Sequence, residues 1–233
     1  MVDDIGGRIA RVHEAIERAA LRSGRKPEDI TLIAVSKTIG PALIQQAVDA
    51  GIANLGENRV QEAAEKVERV TGPALCWHLI GHLQSNKARH AVNMFDVIHT
   101  VDSVDLSCRL DRIAGEMGRT PAVLVQVKLG DEPAKSGADP RDLPAIVEAL
   151  DSAANLRLRG LMVIPPPSES PEGARGYFKE LREILDGLNQ GRAAGGRLAE
   201  LSMGMSGDFE VAIEEGATMV RVGTAIFGSR PQK

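Results

Sequence analysis

The fold is decided by a single segment, Thr31-Leu32-Ile33-Ala34-Val35-Ser36-Lys37-Thr38. Its unbroken apolar run predicts a short strand that is buried on both faces, and such strands belong to parallel sheets covered by helices. Pro41 follows closely and suits the first turn of a helix that we expect to run to about Asp49. Lys37 therefore lies at the carboxyl end of a buried strand, where α/β folds keep their chemistry.

A lysine at such a strand end is partly removed from water, which lowers the pKa of its amine. The neutral amine of Lys37 could then attack an aldehyde or ketone and form a Schiff base. Taken by itself, the segment favours a lysine that simply extends into solvent, because lysine is seldom fully buried. The remainder of the chain has to decide between these two interpretations.

The bulk composition excludes several classes of protein. With 233 residues, 43% of them hydrophobic, we expect a single domain spanning 1–233. A net charge of -4 argues against a nucleic-acid partner. The chain shows neither a basic leader nor an apolar run of about 18 residues, so we expect a cytoplasmic protein without a membrane partner. Cys76 and Cys108 are too few for a disulfide framework or a zinc site, and we expect both to be buried.

Strands and helices alternate along the chain. An amphipathic helix over 5–22 precedes the first strand. The further strands are predicted at 52–55, 76–80, 95–101, 121–129, 156–164, 198–202 and 219–222, and the helices between them at 41–50, 58–70, 83–91, 104–117, 143–153, 173–188 and 209–215. Such alternation has two common solutions, a closed eight-stranded barrel or an open doubly wound sheet. We favour the α/β solution of a (β/α)8 TIM-type barrel with an extra N-terminal helix.

Two glycine-rich loops follow the last two predicted strands, where barrels often build a phosphate site. Gly204-Met205-Ser206-Gly207-Asp208 leads into a predicted helix, so its backbone amides can face an anion and Ser206 can add a hydroxyl. Gly223-Thr224-Ala225 supplies a second set of amides. Either loop alone is weak support, since glycine after a strand is commonly a turn residue. No Walker-type lysine follows either loop, which disfavours nucleotide binding.

A Schiff-base lysine and a phosphate cradle are the two features that pyridoxal 5'-phosphate (PLP) needs. The chain resembles the pyridoxal phosphate homeostasis protein family, single-domain PLP-binding relatives of the alanine racemase N-terminal barrel. The motifs that carry the resemblance span nearly the whole chain: VSK at 35–37, GENRVQE at 56–62, WHLIGHLQSNK at 77–87, KSG at 135–137, GLM at 160–162, MGMSGD at 203–208 and RVGTAIFG at 221–228.

The resemblance assigns cofactor-binding roles and implies no catalytic residue and no metal ligand. It implies that PLP, the vitamin B6 cofactor, forms a Schiff base on Lys37, that Ser206, Gly207, Gly223 and Thr224 hold the phosphate, that Asn58 lies near the ring and that Arg221 faces the pyridine nitrogen. A guanidinium stays charged in proteins and favours the unprotonated ring, so the stabilisation of a carbanion is weak.

Four further residues are weaker candidates. His78 and His82 flank Gly81, and either could act as a general base near neutral pH, although a structural histidine is the preferred interpretation. Lys87 and Lys135 are candidates for a second lysine near the site, against the alternative that both are solvated.

Three functions are open at this point. The first is a non-catalytic carrier that takes part in intracellular PLP homeostasis, shields the aldehyde and passes PLP to PLP-dependent apo-enzymes; the resemblance suggests a monomer. The second is a PLP-dependent amino-acid racemase of low activity, which lacks an obvious second base because Tyr177, the single tyrosine, lies on a core stripe and the chain ends soon after the last strand. The third is a sugar-phosphate lyase or isomerase, which fits the fold but not the motifs.

Overall fold

The computed structural model describes residues 4–130 and 136–228, and its centre is a closed parallel barrel. The strands are β1 Thr31–Val35, β2 Asn54–Glu57, β3 Cys76–Leu79, β4 Val97–Val101, β5 Ala122–Gln126, β6 Arg157–Met162, β7 Glu200–Met205 and β8 Met219–Val222. Each strand pairs with the next in chain order, and β8 pairs with β1, which closes the ring. The prediction of a TIM-type barrel rather than an open sheet is confirmed.

Helices surround the barrel. They are α1 Ile5–Arg22, α2 Pro41–Asp49, α3 Val60–Val67, α4 Ala88–Met94, α5 Val104–Met117, α6 Leu143–Asp151, α7 Arg175–Leu188, α8 Phe209–Glu214 and α9 Thr224–Phe227. The predicted N-terminal helix is α1, which packs against α2, α8 and α9. Asp4 caps it, accepting a hydrogen bond from Gly7 N at 2.7 Å. Among the described residues, no helix has both the length and the apolar character that crossing a membrane requires.

Among the elements that lie later than predicted, α4 begins five residues after the start of the predicted 83–91, and β2 lies two residues later than the predicted 52–55. Gly56 pairs with Val35 on one side and with His78 on the other, so the strand continues through residues whose own preference is for a turn. The helix that we expected from 58 accordingly begins only at Val60. Pairing with two neighbouring strands therefore overrides the local preference.

The interior of the barrel holds two kinds of side chain. An apolar cluster comprises Val97, Ala122, Leu124 and Met162. Polar side chains on β3, β4, β7 and β8, described below, form the second kind. The expectation that both cysteines are buried is wrong for Cys108, which is exposed on α5, while Cys76 is partly buried. Cys108 lies on the helix face away from Leu106 and Leu110, the residues that turn toward the core.

Candidate functional site

A cavity of about 250 Å³ lies at the carboxyl end of the barrel. Its lining includes all seven residues that the sequence singled out: Lys37, Asn58, Ser206, Gly207, Arg221, Gly223 and Thr224. Val35, Ile80, Ile164 and Met205 supply apolar wall. The polar residues meet because β1, β2, β7 and β8 run parallel around the ring, so the loops after these strands share one end of the barrel.

Lys37 follows β1 by two residues and is partly buried. The chain turns immediately after it, with Ile39 N donating to Ser36 O at 3.0 Å. Thr38 has a φ of 65°, in the left-handed region that a β-branched residue seldom adopts. Strained backbone of this kind persists only where the surroundings impose it, and it is common beside functional groups. The turn sets the direction in which the chain leaves Lys37.

A buried ion pair lies directly behind this turn. Lys66 Nζ donates to Glu57 Oε1 at 2.7 Å and to Ser36 O at 2.8 Å, and Ser36 Oγ donates to the same carboxylate oxygen at 2.6 Å. Burial raises the pKa of Glu57, and the hydrogen bonds from Lys66 and Ser36 oppose that rise. The pair holds the carbonyl that is bonded to Lys37. Nothing in the sequence predicts it, because the two residues come from different elements and no local rule relates them.

The loops after β7 and β8 approach each other at Ser206. Gly223 N donates to Ser206 Oγ at 3.1 Å and Ala225 N at 3.5 Å, so two backbone amides and a hydroxyl converge on one point of the cavity wall. Gly204 makes this possible, since it has a φ of 90° and a Cβ there would lie 2.6 Å from Ala212 Cβ. Converging amides and hydroxyls of this kind suit an anion such as phosphate.

Asn58 reaches the cavity because of a close backbone contact with Gly81. A Cβ on Gly81 would lie 2.2 Å from Asn58 O and 2.7 Å from Asn58 Cα, so only glycine fits beside it. Thr100 Oγ1 donates to Gly81 O at 3.0 Å and holds this segment in place. Asn58 does not cap α3, because Arg59 occupies the cap position of that helix.

Arg221 is 3% exposed and contributes the positive charge of the cavity. Its Nη1 donates to Ser202 Oγ at 2.7 Å and its Nη2 to Val163 O at 2.8 Å. Burial lowers the pKa of Arg221 to about 10, partly offset by the negative charge of Asp208. At neutral pH the guanidinium is therefore charged, and it is held at two points from inside the barrel.

His78 lies in the barrel interior and not in the cavity lining. Its Nδ1 is 2.9 Å from His99 Nε2, and its Nε2 is 3.1 Å from Asn54 Oδ1. His99 Nδ1 is in turn 2.9 Å from Ser202 Oγ. Burial lowers the pKa of His78 to about 4 and lowers that of His99 well below its usual range, with the charges of His78 and Arg221 adding to the effect at His99. Both rings are neutral near pH 7, which supports a structural histidine at 78 over a general base.

His82 and Lys87 lie outside the cavity. His82 is exposed, with Nδ1 3.7 Å from Asp102 Oδ2, and it lines a neighbouring groove together with Lys87. Lys135 lies outside the described residues. Tyr177 is partly buried against the core, as its helix stripe predicted. Within 4–130 and 136–228, no group of three or more histidine, cysteine, aspartate or glutamate residues is arranged to hold a metal ion.

Two comparisons with known sequences find proteins that are similar to this chain over nearly its whole length. The family described as "Alanine racemase, N-terminal domain" matches residues 10–231. The pyridoxal phosphate homeostasis protein of Pseudomonas aeruginosa is 44% identical over 227 residues, which cover 97% of this chain and 96% of the relative. That of Escherichia coli strain K12 is 43% identical, with 98% of each chain covered.

Solved structures show the same relationship. PipY of Synechococcus elongatus PCC7942, solved with PLP bound, is 47% identical and superposes with a TM-score of 0.84 over 97% of this chain and 100% of that chain. An alanine racemase from Clostridium difficile 630 superposes with a TM-score of 0.76 at 18% identity, and the match covers 61% of that chain. This second likeness shows the fold alone.

Proposed function

Because the chain belongs to the family of pyridoxal phosphate homeostasis proteins, within the alanine racemase N-terminal domain family, we propose that it binds PLP in the cavity at the carboxyl end of the barrel. The observation that carries the proposal is the meeting of Lys37 and the Ser206 loop in one cavity of about 250 Å³. This volume lies just below the usual range of small-molecule sites, roughly 300–1,000 Å³, and suits one small cofactor.

Each end of the cofactor has a matching group in the cavity. Lys37 Nζ bonds the cofactor aldehyde as a Schiff base, which keeps that aldehyde from other amines. The amides and hydroxyls of Ser206, Gly207, Gly223 and Thr224 hold the phosphate, and Asn58 lies beside the ring. The donor set fits the group, since an anion replaces Ser206 Oγ as the acceptor for backbone N–H groups that already point there.

Arg221 determines how much chemistry the bound cofactor can perform. PLP acts as an electron sink when its pyridine nitrogen is protonated. A buried guanidinium beside that nitrogen opposes a second positive charge, so the nitrogen stays unprotonated and accepts a hydrogen bond from Arg221. The electron sink is then weak. This favours a carrier over an enzyme.

The composition of the cavity wall points the same way. Among the described residues, the lining contains no tyrosine, histidine, aspartate or glutamate that could act as a second base opposite Lys37. The protein therefore takes part in intracellular PLP homeostasis without strong catalysis, and PLP-dependent apo-enzymes are its recipients. We place it in the cytoplasm as a single-domain protein. We further propose a monomer, because the exposed large hydrophobic side chains of the described residues form no continuous patch along one element; they are Leu21, Val104 and Met205.

The proposal is tested by absorption spectroscopy of the purified protein with and without added PLP. We expect a visible band that borohydride reduction removes, that is absent in Lys37→Ala and that is retained in Lys87→Ala, whose lysine lies in the neighbouring groove. Racemisation of amino acids is assayed in parallel, and we expect negligible turnover. No band at saturating PLP would refute PLP binding through Lys37, whereas clear racemisation would replace the carrier with a racemase.

A further inference from the structure

Five polar side chains form a continuous hydrogen-bonded chain through the barrel interior: Asn54, His78, His99, Ser202 and Arg221. We call this set the polar chain. We propose that the polar chain orients the Arg221 guanidinium toward the cavity, so that His99 and Ser202 are positioning residues of the site. The inference rests on the proposed function insofar as PLP is the ligand that meets Arg221.

The polar chain connects two ends of the barrel. Asn54 is the first residue of β2, whereas Arg221 lies on β8 and lines the cavity beyond the opposite, carboxyl ends of the strands. From Asn54 to Arg221, the four successive hydrogen bonds measure 3.1, 2.9, 2.9 and 2.7 Å between their heavy atoms. His99 and Ser202 have no exposed surface. A continuous path of such short contacts, buried from His78 to Arg221, is a built network and not a chance alignment.

The donors and acceptors of the polar chain can be assigned from the Arg221 end. A guanidinium can only donate, so Ser202 Oγ accepts from Arg221 Nη1. The single hydroxyl proton of Ser202 then goes to His99 Nδ1. A neutral His99 carries its proton on Nε2 and donates it to His78 Nδ1. His78 in turn donates from Nε2 to Asn54.

The opposite end gives the same assignment independently. The Asn54 atom that faces His78 is the carbonyl oxygen Oδ1, which can only accept. The network therefore starts at a group that only donates and ends at one that only accepts, and each link has one donor and one acceptor. Both histidines are then neutral with the proton on Nε2, because a second proton on His78 would face the Nε2 proton of His99, and a second proton on His99 would face the hydroxyl proton of Ser202.

The consequence for the cavity is a guanidinium with a fixed plane. Arg221 is held by Ser202 Oγ through Nη1 and by Val163 O through Nη2, which leaves its other N–H groups for the cavity. Ser202 accepts from Arg221 through a lone pair, and donating its hydroxyl proton to His99 fixes the hydroxyl rotor so that this lone pair faces the guanidinium. If His99 cannot accept, the hydroxyl rotor is no longer fixed, and the anchor on the guanidinium loosens. Preorganised donors bind better than mobile ones because no ordering cost remains.

Two substitutions at one position separate positioning from packing. In His99→Asn, the side-chain oxygen takes the place of Nδ1 and can accept from Ser202, although the link to His78 is lost. In His99→Gln, the amide reaches the place of Nε2 and can donate to His78, but Ser202 loses its acceptor. Both variants remove one imidazole from the same site, so each serves as the control for the other.

The experiment measures PLP affinity and the absorption maximum of the loaded protein for both variants. It also records the 15N signals of the Arg221 guanidinium and of both histidines in the protein without PLP. We expect about tenfold weaker binding, a shifted absorption maximum and averaged Arg221 Nη signals in His99→Gln, on the order of one lost hydrogen bond to a charged group. We expect His99→Asn to stay within about twofold of the original, as a retained acceptor implies.

Other outcomes overturn the inference. Equal losses in both variants would reduce His99 to packing, and unchanged Arg221 signals in His99→Gln would remove its positioning role. If His99→Gln does not fold, Ser202→Ala removes the same anchor and is read in the same way. Failure of the original protein to bind PLP would refute the proposed function but not the polar chain, because the histidine signals recorded without PLP still test the polar chain. A proton on Nδ1 of either histidine ring would refute the polar chain.

Discussion

Replacing Lys66 by methionine tests the buried ion pair behind Lys37. The change keeps a long apolar side chain but removes the ammonium, which leaves the fully buried Glu57 with Ser36 Oγ as its remaining hydrogen-bond donor. Breaking a buried pair is costly because the remaining charge is uncompensated, about 3–5 kcal/mol in general. Glu57 can limit that cost by taking up a proton.

The limit can be worked from the ordinary carboxyl pKa of 4.5. Protonating Glu57 costs about 1.4 kcal/mol for each pH unit above that value, hence at most about 3.4 kcal/mol at pH 7 and about 0.7 kcal/mol at pH 5. Burial already raises the pKa of Glu57 in the unmodified protein, so part of this cost is present before the mutation. We therefore expect Lys66→Met to lower the free energy of unfolding by about 2–3 kcal/mol at pH 7 and by less than about 1 kcal/mol at pH 5.

The sign follows from linkage. In Lys66→Met, the pKa of Glu57 is higher in the folded protein than in the unfolded chain. The variant therefore has its full free energy of unfolding below pH 4.5 and loses part of it as the pH rises toward the folded pKa of Glu57. Urea unfolding followed by circular dichroism at pH 5 and pH 7 measures both quantities. The control is the double variant Glu57→Gln with Lys66→Met, which carries no buried charge and should recover most of the loss at pH 7. A loss that is equal at the two pH values, or a double variant as unstable as the single one, would refute the reasoning.

Three further predictions concern His78, Gly81 and Ser103. Burial lowers the pKa of His78 from 6.5 to about 4. The contribution of neutral His78 to the free energy of unfolding, about 3 kcal/mol, is therefore fully present above pH 6.5 and is lost as the pH falls to 4. Urea unfolding at a series of pH values measures this loss, and a flat profile would contradict it. In Gly81→Ala, the new Cβ at position 81 displaces the backbone of Asn58, which should lower the free energy of unfolding by about 1–3 kcal/mol. PLP binding in a titration should also weaken, and unchanged affinity would show that Asn58 does not contribute to the site. Ser103→Ala removes the cap on Leu106 N of α5 and should cost about 1 kcal/mol, with PLP affinity unchanged; a change in affinity would contradict a purely local role.

Much of the fold follows from local patterns. The buried strand before Lys37 and the helices at 5–22 and 104–117 lie where apolar periodicity predicts them. Ser103 caps α5 by accepting a hydrogen bond from Leu106 N, a contact between residues only three apart. The position of β2 was wrong, since pairing with two neighbouring strands extends it through Gly56 and Glu57.

Some residues of the site can be predicted from local sequence patterns, and others depend on the tertiary structure. The seven candidate residues could be named because strand ends, glycine-rich loops and family motifs are visible in the sequence, and all seven line one cavity. His99 and Ser202 could not be named. Each is one inward position on a strand, and only the closing of the barrel brings two residues so far apart along the chain to 2.9 Å.

By itself the sequence determined the alternation of strands and helices, the lysine after the first strand and the two loops that can hold an anion, because each depends on neighbours within a few residues. Only the tertiary structure decided that Lys66 neutralises Glu57, that Gly81 makes room for Asn58 and that His78 and His99 connect Asn54 to Arg221. These contacts depend on strand register and ring closure, which bring residues from distant segments into direct contact inside the fold.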